Sequence, residues 1–494
     1  FPKNSAIEKF ERKSFFLSSI KSINIPPSLI ELEEGWCSQI DELSSITVDP
    51  SNKIYKIYDD KFLLKKSSSE NSIFDFLVFS IRNIEHVIIP DFIKIIGPYS
   101  FNSCTEIKTI QIPHDSKLEI IEKYAFSNSS ISEITISSNV TKICKNAFYW
   151  CDKLIHINIP RDSKLQIIEK NAFSCSSIEN IFIPSSIIKL EDGWCHNTSY
   201  LLSIDVDSSN KNYLNYNGDF ILGKSSPKNK EFDILSFSVR NINAATIPDS
   251  IKIIGKYAFN KCTYLDLVEL SNYSQLQIIE KGAFYDASIE QISIPSKLCC
   301  FKQNWCGKTP YLVTLDMNPN NKKFKIFEDK FLLGKSNPDA DCYDILVFAF
   351  RNISDVQIPN FIKIIGSNAF EDCLSQKIEI QEDSQLEIIE RCAFYKLHIK
   401  KIFFPRHLKI IGNSAFMVTK KLTSIEFDKN SEIHTIDKGA FINSNIECIE
   451  IPRSVTKIND DAFQYCMHLK SIMFQQNSQL QLIGADSFAY SSLE

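Results

Sequence analysis

The sequence predicts an α/β solenoid of stacked coils, with a parallel β-sheet on one concave face and short helical or 3-10 turns and loops behind it. Three observations carry this prediction. An Ala-Phe or Ser-Phe pair recurs at steps near 22 and 25 residues, a strand-like alternation of apolar and polar residues lies between successive pairs, and three longer units interrupt the series. A unit this short cannot bury its own apolar face and must stack on its neighbours.

The recurring phenylalanine sets the repeat, because its spacing alternates between the two step lengths along the chain. Each unit has the pattern of residues 247–259, in which Ile-Pro is followed by spaced isoleucines and then by Ala-Phe. The phenylalanines of the series are Phe101, Phe126, Phe148, Phe173, Phe259, Phe284, Phe370, Phe394, Phe416, Phe441, Phe463 and Phe488.

The stretch before each proline alternates apolar and polar residues, as in Ile157-Asn158-Ile159. This period of two is typical of a half-buried strand. Proline ends strand pairing, and the apolar spacing through Ala-Phe then favours a turn of helix. The period and the single strand per unit predict a leucine-rich-repeat solenoid, with isoleucine in most of the leucine positions.

Three units carry tryptophan in place of phenylalanine, at Trp36, Trp194 and Trp305, and each is followed by an expanded unit. The expanded units span about 37–101, 195–259 and 306–370. Each contains two apolar arms around a polar loop and is predicted to carry a β-hairpin. One solenoid is predicted over residues 1–494. The array ends within a repeat and has no polar capping unit, so we expect further chain beyond it.

One of the predicted hairpin arms matches a phosphate-binding loop. Gly218–Ser225 fits G-x-x-x-x-G-K-[ST]. The equivalent segments 60–67 and 329–336 replace the first glycine by aspartate and keep the apolar centre. A phosphate loop also requires a helix after it, whereas Pro227 follows here within a polar run. We therefore interpret the segment as a strand and predict no cofactor.

The fifteen cysteines do not have metal-site spacing, since no C-x-x-C occurs. Several occupy one register, three residues after a phenylalanine, and these are predicted to be buried free thiols stacked along the solenoid. A disulfide framework is the weaker alternative. Cys448 alternates with Ile449 and Ile451, which places it outward and makes it the thiol most prone to react. The stacked register holds Cys104, Cys151, Cys262, Cys373 and Cys466.

Composition and motifs exclude several function classes. A net charge of −5 and a pI near 6.0 argue against nucleic-acid binding. No window approaches 18 consecutive apolar residues, which argues against a membrane span in this stretch. Asp205-Val206-Asp207 resembles the start of a calcium loop, but Tyr216 stands where that loop needs glutamate. No catalytic, metal-binding or cofactor-binding residue is predicted.

The repeat resembles the BspA-like, or Treponema-type, class of leucine-rich repeats. Ile451-Pro452-Arg453-Ser454-Val455-Thr456-Lys457-Ile458, followed by Ala462-Phe463 and Cys466, carries the match. The segments 210–213 and 217–220 are similar to the long repeats of that class. The resemblance covers essentially the whole chain. It implies a surface protein of the kind found in bacteria and parasitic protists.

That resemblance implies a non-enzymatic protein-binding repeat protein, a cell-surface adhesin or antigen that binds host or microbial proteins. The expected partner is a protein, such as a host matrix or cell-surface protein, and the expected location is the cell surface or the secreted fraction. The alternative is an intracellular, cytoplasmic scaffold or structural protein on the same solenoid. The odd number of apparently unpaired cysteines favours this alternative.

The residue between the two inward apolar residues of each strand should face outward on the sheet. In the second half of the chain these residues are mostly acidic, with Phe403 and Met473 among them. We predict a mixed acidic and apolar surface for a basic protein segment, in which carboxylates attract the partner and Phe403 anchors it. A solvated sheet face without a binding role is the alternative. The predicted binding residues are Glu269, Asp316, Glu379, Phe403, Glu426, Glu450 and Met473.

Overall fold

The computed structural model describes residues 1–2, 5–339 and 341–494, and builds them into coils that each contribute a front strand, a second strand and a run of tight turns. The chain divides into two compact units. Unit 1 holds residues 1–242 and 255–262, and unit 2 holds residues 243–254 and 263–494. One solenoid over residues 1–494 stays a prediction.

The front strands are the apolar–polar alternations of the sequence. Parallel pairing keeps their isoleucines in register, so that Ile134 stands opposite Ile110 on one side and Ile157 on the other. In unit 1 they are Ser22–Ile25, Ser45–Val48, His86–Ile88, Thr109–Gln111, Glu133–Thr135, His156–Asn158, Asn180–Ile183 and Ser203–Val206. In unit 2 they are Ala244–Ile247, Leu267–Leu270, Gln291–Ile294, Thr314–Met317, Asp355–Gln357, Lys377–Glu379, Lys401–Phe404, Ser424–Phe427, Cys448–Ile451 and Ser471–Phe474.

A second parallel ladder runs beside the first, where the sequence predicted only one sheet. It forms because the isoleucine pair after each proline meets the same pair of the next coil, as Ile95–Ile96 meets Ile120–Ile121. In unit 1 these second strands are Lys9–Phe10, Glu31–Leu32, Ile95–Ile96, Ile120–Ile121, Lys142–Ile143, Ile167–Ile168 and Lys189–Leu190. In unit 2 they are Ile253–Ile254, Ile278–Ile279, Cys300–Phe301, Ile364–Ile365, Ile388–Ile389, Ile410–Ile411, Thr435–Ile436, Lys457–Ile458 and Leu482–Ile483.

The predicted short helical or 3-10 turns are wrong: no helix occurs among the described residues. The Ala-Phe segments are consecutive tight turns. Tyr124 and Asn128 have φ values of 58° and 59°, which a right-handed helix does not allow. The amides of Tyr124, Phe126 and Asn128 donate to carbonyls of the following coil, whereas Ala125 and Ser127 donate within the turn. Every second backbone amide of this segment therefore donates to the next coil, and none makes the i to i−4 hydrogen bond of an α-helix.

The core consists of stacked columns of identical side chains. The rings of Phe101, Phe126, Phe148 and Phe173 are fully buried in unit 1, with centroids 5.0, 5.1 and 5.2 Å apart and nearly parallel planes. Such spacing is typical of offset-stacked aromatic pairs. In unit 2 the column is formed by Phe370, Phe394, Phe416, Phe441, Phe463 and Phe488.

The three predicted hairpins are confirmed, and each has an additional strand in front of it. In every case the middle strand pairs antiparallel with both neighbours, and its pairing with the last strand shifts by one residue near the centre. The middle strands begin at the buried Phe62, Phe220 and Phe331. The strands are Tyr55–Tyr58, Phe62–Lys65 and Phe76–Ser80; Tyr213–Tyr216, Phe220–Gly223 and Ile234–Ser238; and Phe324–Phe327, Phe331–Gly334 and Ile345–Ala349.

The segment that resembles a phosphate loop is part of the second hairpin. Gly218 has a φ of 83° and lies in the turn before the strand Phe220–Gly223. The Ser225 amide donates to Asp233 Oδ1 at 2.7 Å, and the Ser225 hydroxyl donates to Asp233 Oδ2 at 2.6 Å. Ser67 and Asp75 make the same bonds in the first hairpin. The Ser225 amide and hydroxyl are thus already bonded to a buried carboxylate, and residues 220–223 are paired as a strand on both sides.

Three arginines are almost completely buried, each just after the last strand of a hairpin: Arg82, Arg240 and Arg351. Each guanidinium lies over a phenylalanine of that strand, with its central carbon 3.9, 4.0 or 4.4 Å from the ring centroid. Each arginine begins an Arg-Asn-Ile sequence that recurs in the three expanded units.

Candidate functional site

The residues predicted to point outward from the front strands do so. Phe403 is half-buried, whereas its neighbours Ile402 and Phe404 are buried in the core. Glu450 is exposed between the buried Ile449 and Ile451, and Glu426 is exposed beside the buried Ile425. This follows from the two-residue period of a strand, in which alternate side chains point to opposite faces. All seven predicted residues are exposed or half-buried, so the face they occupy is open to a partner.

The structure places these seven residues on different ladders of unit 2. Glu269 and Asp316 belong to the four-stranded front sheet that begins at Ala244. The hydroxyl of Thr246 lies 3.4 Å from the Glu269 carboxylate. Glu450 stands opposite Met473 on the pair of strands nearest the end of the chain. The remaining three predicted residues lie near one another.

A groove of about 580 Å³ opens on the front strands of unit 2 and is lined by Glu379, Phe403 and Glu426. It lies between Lys377–Glu379 and Lys401–Phe404. In the described part of the chain these two strands share no ladder pairing, although each pairs with its other neighbour. The groove coincides with this interruption of the front sheet and brings together three of the predicted residues.

Sequence reasoning missed the basic side of this groove. Lys377, Lys400, Lys401, Lys421 and His398 also line it, and all five are exposed. They occupy the first position of a front strand or the loop before it. The prediction considered only the central residue of each strand, so these side chains were overlooked. The paired lysines at 400–401 and 420–421 were the signal that could have revealed them.

The electrostatic balance of the groove is therefore positive. Lys377 Nζ lies 2.5 Å from Glu379 Oε1, and the hydrogen bond that the ammonium donates to this carboxylate raises the pKa of Lys377. The carboxylate of Glu379 is thus already engaged by a lysine of its own strand. Four ammonium groups face two carboxylates along the groove. This excess of positive charge differs from the acidic surface that the sequence predicts.

The front strands of unit 1 offer a different surface. A shallow groove of about 510 Å³ crosses the sheet there and is lined mainly by uncharged polar side chains, among them Thr109, Gln111, Thr135 and Asn158. Its strands pair without interruption. Phe182 holds the same half-buried outward position in unit 1 as Phe403 does in unit 2, so the lysines distinguish the groove of unit 2 from that of unit 1.

Residues 1–2, 5–339 and 341–494 contain no group of three or more His, Cys, Asp or Glu side chains placed to hold a metal ion. No helix long and apolar enough to cross a membrane occurs within those ranges.

All fifteen cysteines are free thiols. The predicted burial of the five cysteines of this register is confirmed, and burial raises the pKa of Cys151 to about 12. These buried thiols are neutral and poor nucleophiles at physiological pH, because the thiolate is the reactive form. Cys448 is exposed as predicted, and Cys299 and Cys342 are exposed as well.

A brief pulse of N-ethylmaleimide on the native protein is expected to modify Cys299, Cys342 and Cys448 at least about tenfold faster than any buried cysteine, because only exposed thiols are accessible. Peptide mass spectrometry would locate the adducts, and labelling in denaturant is the control that should modify all fifteen thiols. An adduct on Cys151 or Cys262 after the native pulse would contradict the packing described above.

A family model described as a BspA type leucine rich repeat region matches the chain in six copies. The copies cover residues 1–81, 71–202, 230–335, 323–395, 343–470 and 387–494. Only residues 203–229 fall outside them. No sequence among curated proteins matches the chain.

Among solved structures, the chain is similar to a leucine-rich repeat protein from Bacteroides ovatus, with 19% identity, 88% of this chain and 92% of that chain covered, and a TM-score of 0.39. A leucine rich cell surface protein from Faecalibacterium prausnitzii matches with 19% identity, 87% and 98% coverage, and a TM-score of 0.39. The pneumococcal vaccine antigen PcpA matches with 17% identity, 85% and 93% coverage, and a TM-score of 0.38.

Proposed function

The chain belongs to the BspA-type leucine-rich-repeat family, and from this premise we propose that it is a non-enzymatic, protein-binding repeat protein that acts as a cell-surface adhesin or antigen. Its partners are host or microbial proteins, and it contacts them through the front strands. Solenoids of this kind offer an extended recognition surface without needing a catalytic pocket. The observation that carries the proposal is the open front face of unit 2, where Phe403 remains half-exposed beside charged side chains.

A cytoplasmic scaffold on the same solenoid is the second candidate, and the free thiols favour it. Exposed cysteines such as Cys299 and Cys448 persist as thiols in reducing compartments, whereas extracellular proteins more often pair them. Biotinylation of intact cells with a membrane-impermeant reagent, with permeabilised cells as the control, distinguishes the two. Recovery of the chain from intact cells supports the adhesin, and recovery only after permeabilisation supports the scaffold.

Binding itself is tested with the purified protein on immobilised fibronectin, fibrinogen and laminin. Phe403→Ala is expected to weaken the interaction by about tenfold, because exposed aromatic residues often dominate such contacts. Tyr273→Ala is the matched control, since this aromatic residue is exposed in unit 2 but lies outside the front strands. Equal loss in both variants, or no binding to any of these proteins, would count against the proposal.

A further inference from the structure

We propose that the groove at Lys377–Glu379 and Lys401–Phe404 binds an extended peptide segment that carries acidic residues next to one aromatic or aliphatic residue. The inference rests on the proposed protein-binding function and assigns both the place and the chemistry of recognition. It differs from the basic partner predicted from the sequence, because the groove includes lysines that the central strand positions do not reveal.

The charge of the groove favours an acidic partner. In the described part of the chain, Lys377 is the one lysine of the groove that forms an ion pair, and Lys400, Lys401 and Lys421 extend into solvent without one. Three ammonium groups are therefore available to carboxylates of a ligand. Because all three lie at the first residue of a front strand or in the loop before it, their attraction also fixes the orientation of that ligand.

The apolar side of the groove favours a hydrophobic residue between the acidic ones. The half-exposed ring of Phe403 stands over a floor that includes Ile378 and Ile402. Lys401 and Phe403 are two residues apart on one strand, and the strand rise places their backbones about 6.6 Å from each other. An extended peptide has the same two-residue repeat, so one side chain can meet Lys401 while the next on that face meets Phe403.

The Glu426 carboxylate favours a peptide over a uniform polyanion. Glu426 stands directly opposite Phe403 on the neighbouring strand, whereas Glu379 is paired with Lys377. A nucleic acid or a sulfated polysaccharide would place repeated negative charge against Glu426. A peptide avoids this repulsion because its acidic side chains can be confined to the lysine side, while an apolar or amide-bearing residue faces Glu426.

The test uses the full chain and a fluorescein-labelled probe peptide, Glu-Glu-Ser-Phe-Ser-Glu-Glu, whose binding is followed by fluorescence anisotropy. Combined Lys400→Gln, Lys401→Gln and Lys421→Gln substitutions are expected to weaken binding by about tenfold, since three exposed charge contacts are lost. Phe403→Ser is expected to weaken it by a similar factor. Raising sodium chloride from about 50 to about 500 mM should also weaken binding, because salt screens exposed charges.

Matched controls distinguish an effect of the groove lysines from an effect of the protein's net charge. Lys281→Gln, Lys429→Gln and Lys457→Gln remove the same charge from exposed lysines of unit 2 outside the groove and should leave binding unchanged. The corresponding triple arginine substitution at 400, 401 and 421 should preserve it. A probe with serine in place of phenylalanine should bind more weakly, and one with lysine in place of glutamate should not compete.

The inference is wrong if the groove and control lysine substitutions reduce probe affinity equally, or if the lysine-rich probe binds more tightly than the acidic one. It is also wrong if a heparin hexasaccharide displaces the probe peptide equally well from the parent protein and from the Phe403→Ser variant. The experiments distinguish failure of the groove inference from failure of the adhesin proposal. If the chain binds a matrix protein and the glutamine substitutions at 400, 401 and 421 leave that binding intact, the groove inference fails and the adhesin proposal stands. If the probe peptide binds but no matrix protein does, the groove inference stands and the adhesin proposal fails.

Discussion

Replacing Phe126 with alanine is expected to lower the free energy of unfolding by about 4 kcal/mol, because large-to-small changes at fully buried aromatic residues remove transfer energy and leave a cavity. The ring of Phe126 is fully buried and stacks on Phe101 at 5.0 Å and on Phe148 at 5.1 Å. Both neighbouring coils therefore lose a packing surface at once. In a stacked array each unit is stabilised mainly by its neighbours, so the loss is not absorbed locally.

Urea unfolding followed by circular dichroism measures this effect. Tyr273→Ala is the control, because its ring is 79% exposed and its removal should change stability by less than about 0.5 kcal/mol. Phe441→Ala is the counterpart in unit 2, where the ring stacks at 5.2 Å on both sides. A change below about 1 kcal/mol for Phe126→Ala would show that the column does not stabilise the coils as a continuous stack.

The phenylalanine column could be predicted because identical spacing puts identical residues at the same point of every coil. The local conformation around Phe126 could not, because apolar residues three to four positions apart suit both a helical turn and two successive tight turns. The deciding factor is where the amides bond. Phe126 donates to the carbonyl of Ala147 in the next coil at 2.8 Å, and an intercoil bond of this kind leaves no trace in the spacing.

The candidate site likewise has one part that could be predicted from the sequence and one part that could not. The outward placement of Phe403 and Glu426 follows from strand alternation, a property of each strand by itself. The groove depends instead on the missing pairing between two particular strands, Lys377–Glu379 and Lys401–Phe404. Its lysines lie at strand starts, where the two-residue pattern has not yet begun. A property of strand pairs, such as an interrupted ladder, cannot be read from single strands.

Replacing Arg82 with alanine is expected to lower the free energy of unfolding by about 4 kcal/mol, because buried acceptors lose their donors and a cavity is left. Arg82 Nε donates to the carbonyl of Ile40 at 3.0 Å, and Nη1 donates to those of Ser80 and Ser100 at 3.0 and 2.9 Å. One guanidinium thus joins three separate segments of unit 1 at the base of the first hairpin.

Arg82→Met separates the hydrogen bonds from the packing. Methionine fills much of the space over Phe79 but donates no hydrogen bond, so we expect it to recover less than half of the free energy of unfolding that Arg82→Ala removes. Arg161→Met is the control and should be nearly neutral, since Arg161 is exposed and lies farther from its ring, at 5.3 Å. Burying a charge has its own desolvation cost, and hydrophobic replacements of buried ions are sometimes stabilising. An Arg82→Met variant as stable as the parent would therefore show that this cost cancels the three carbonyl bonds, and that the arginine orders the hairpin without stabilising it.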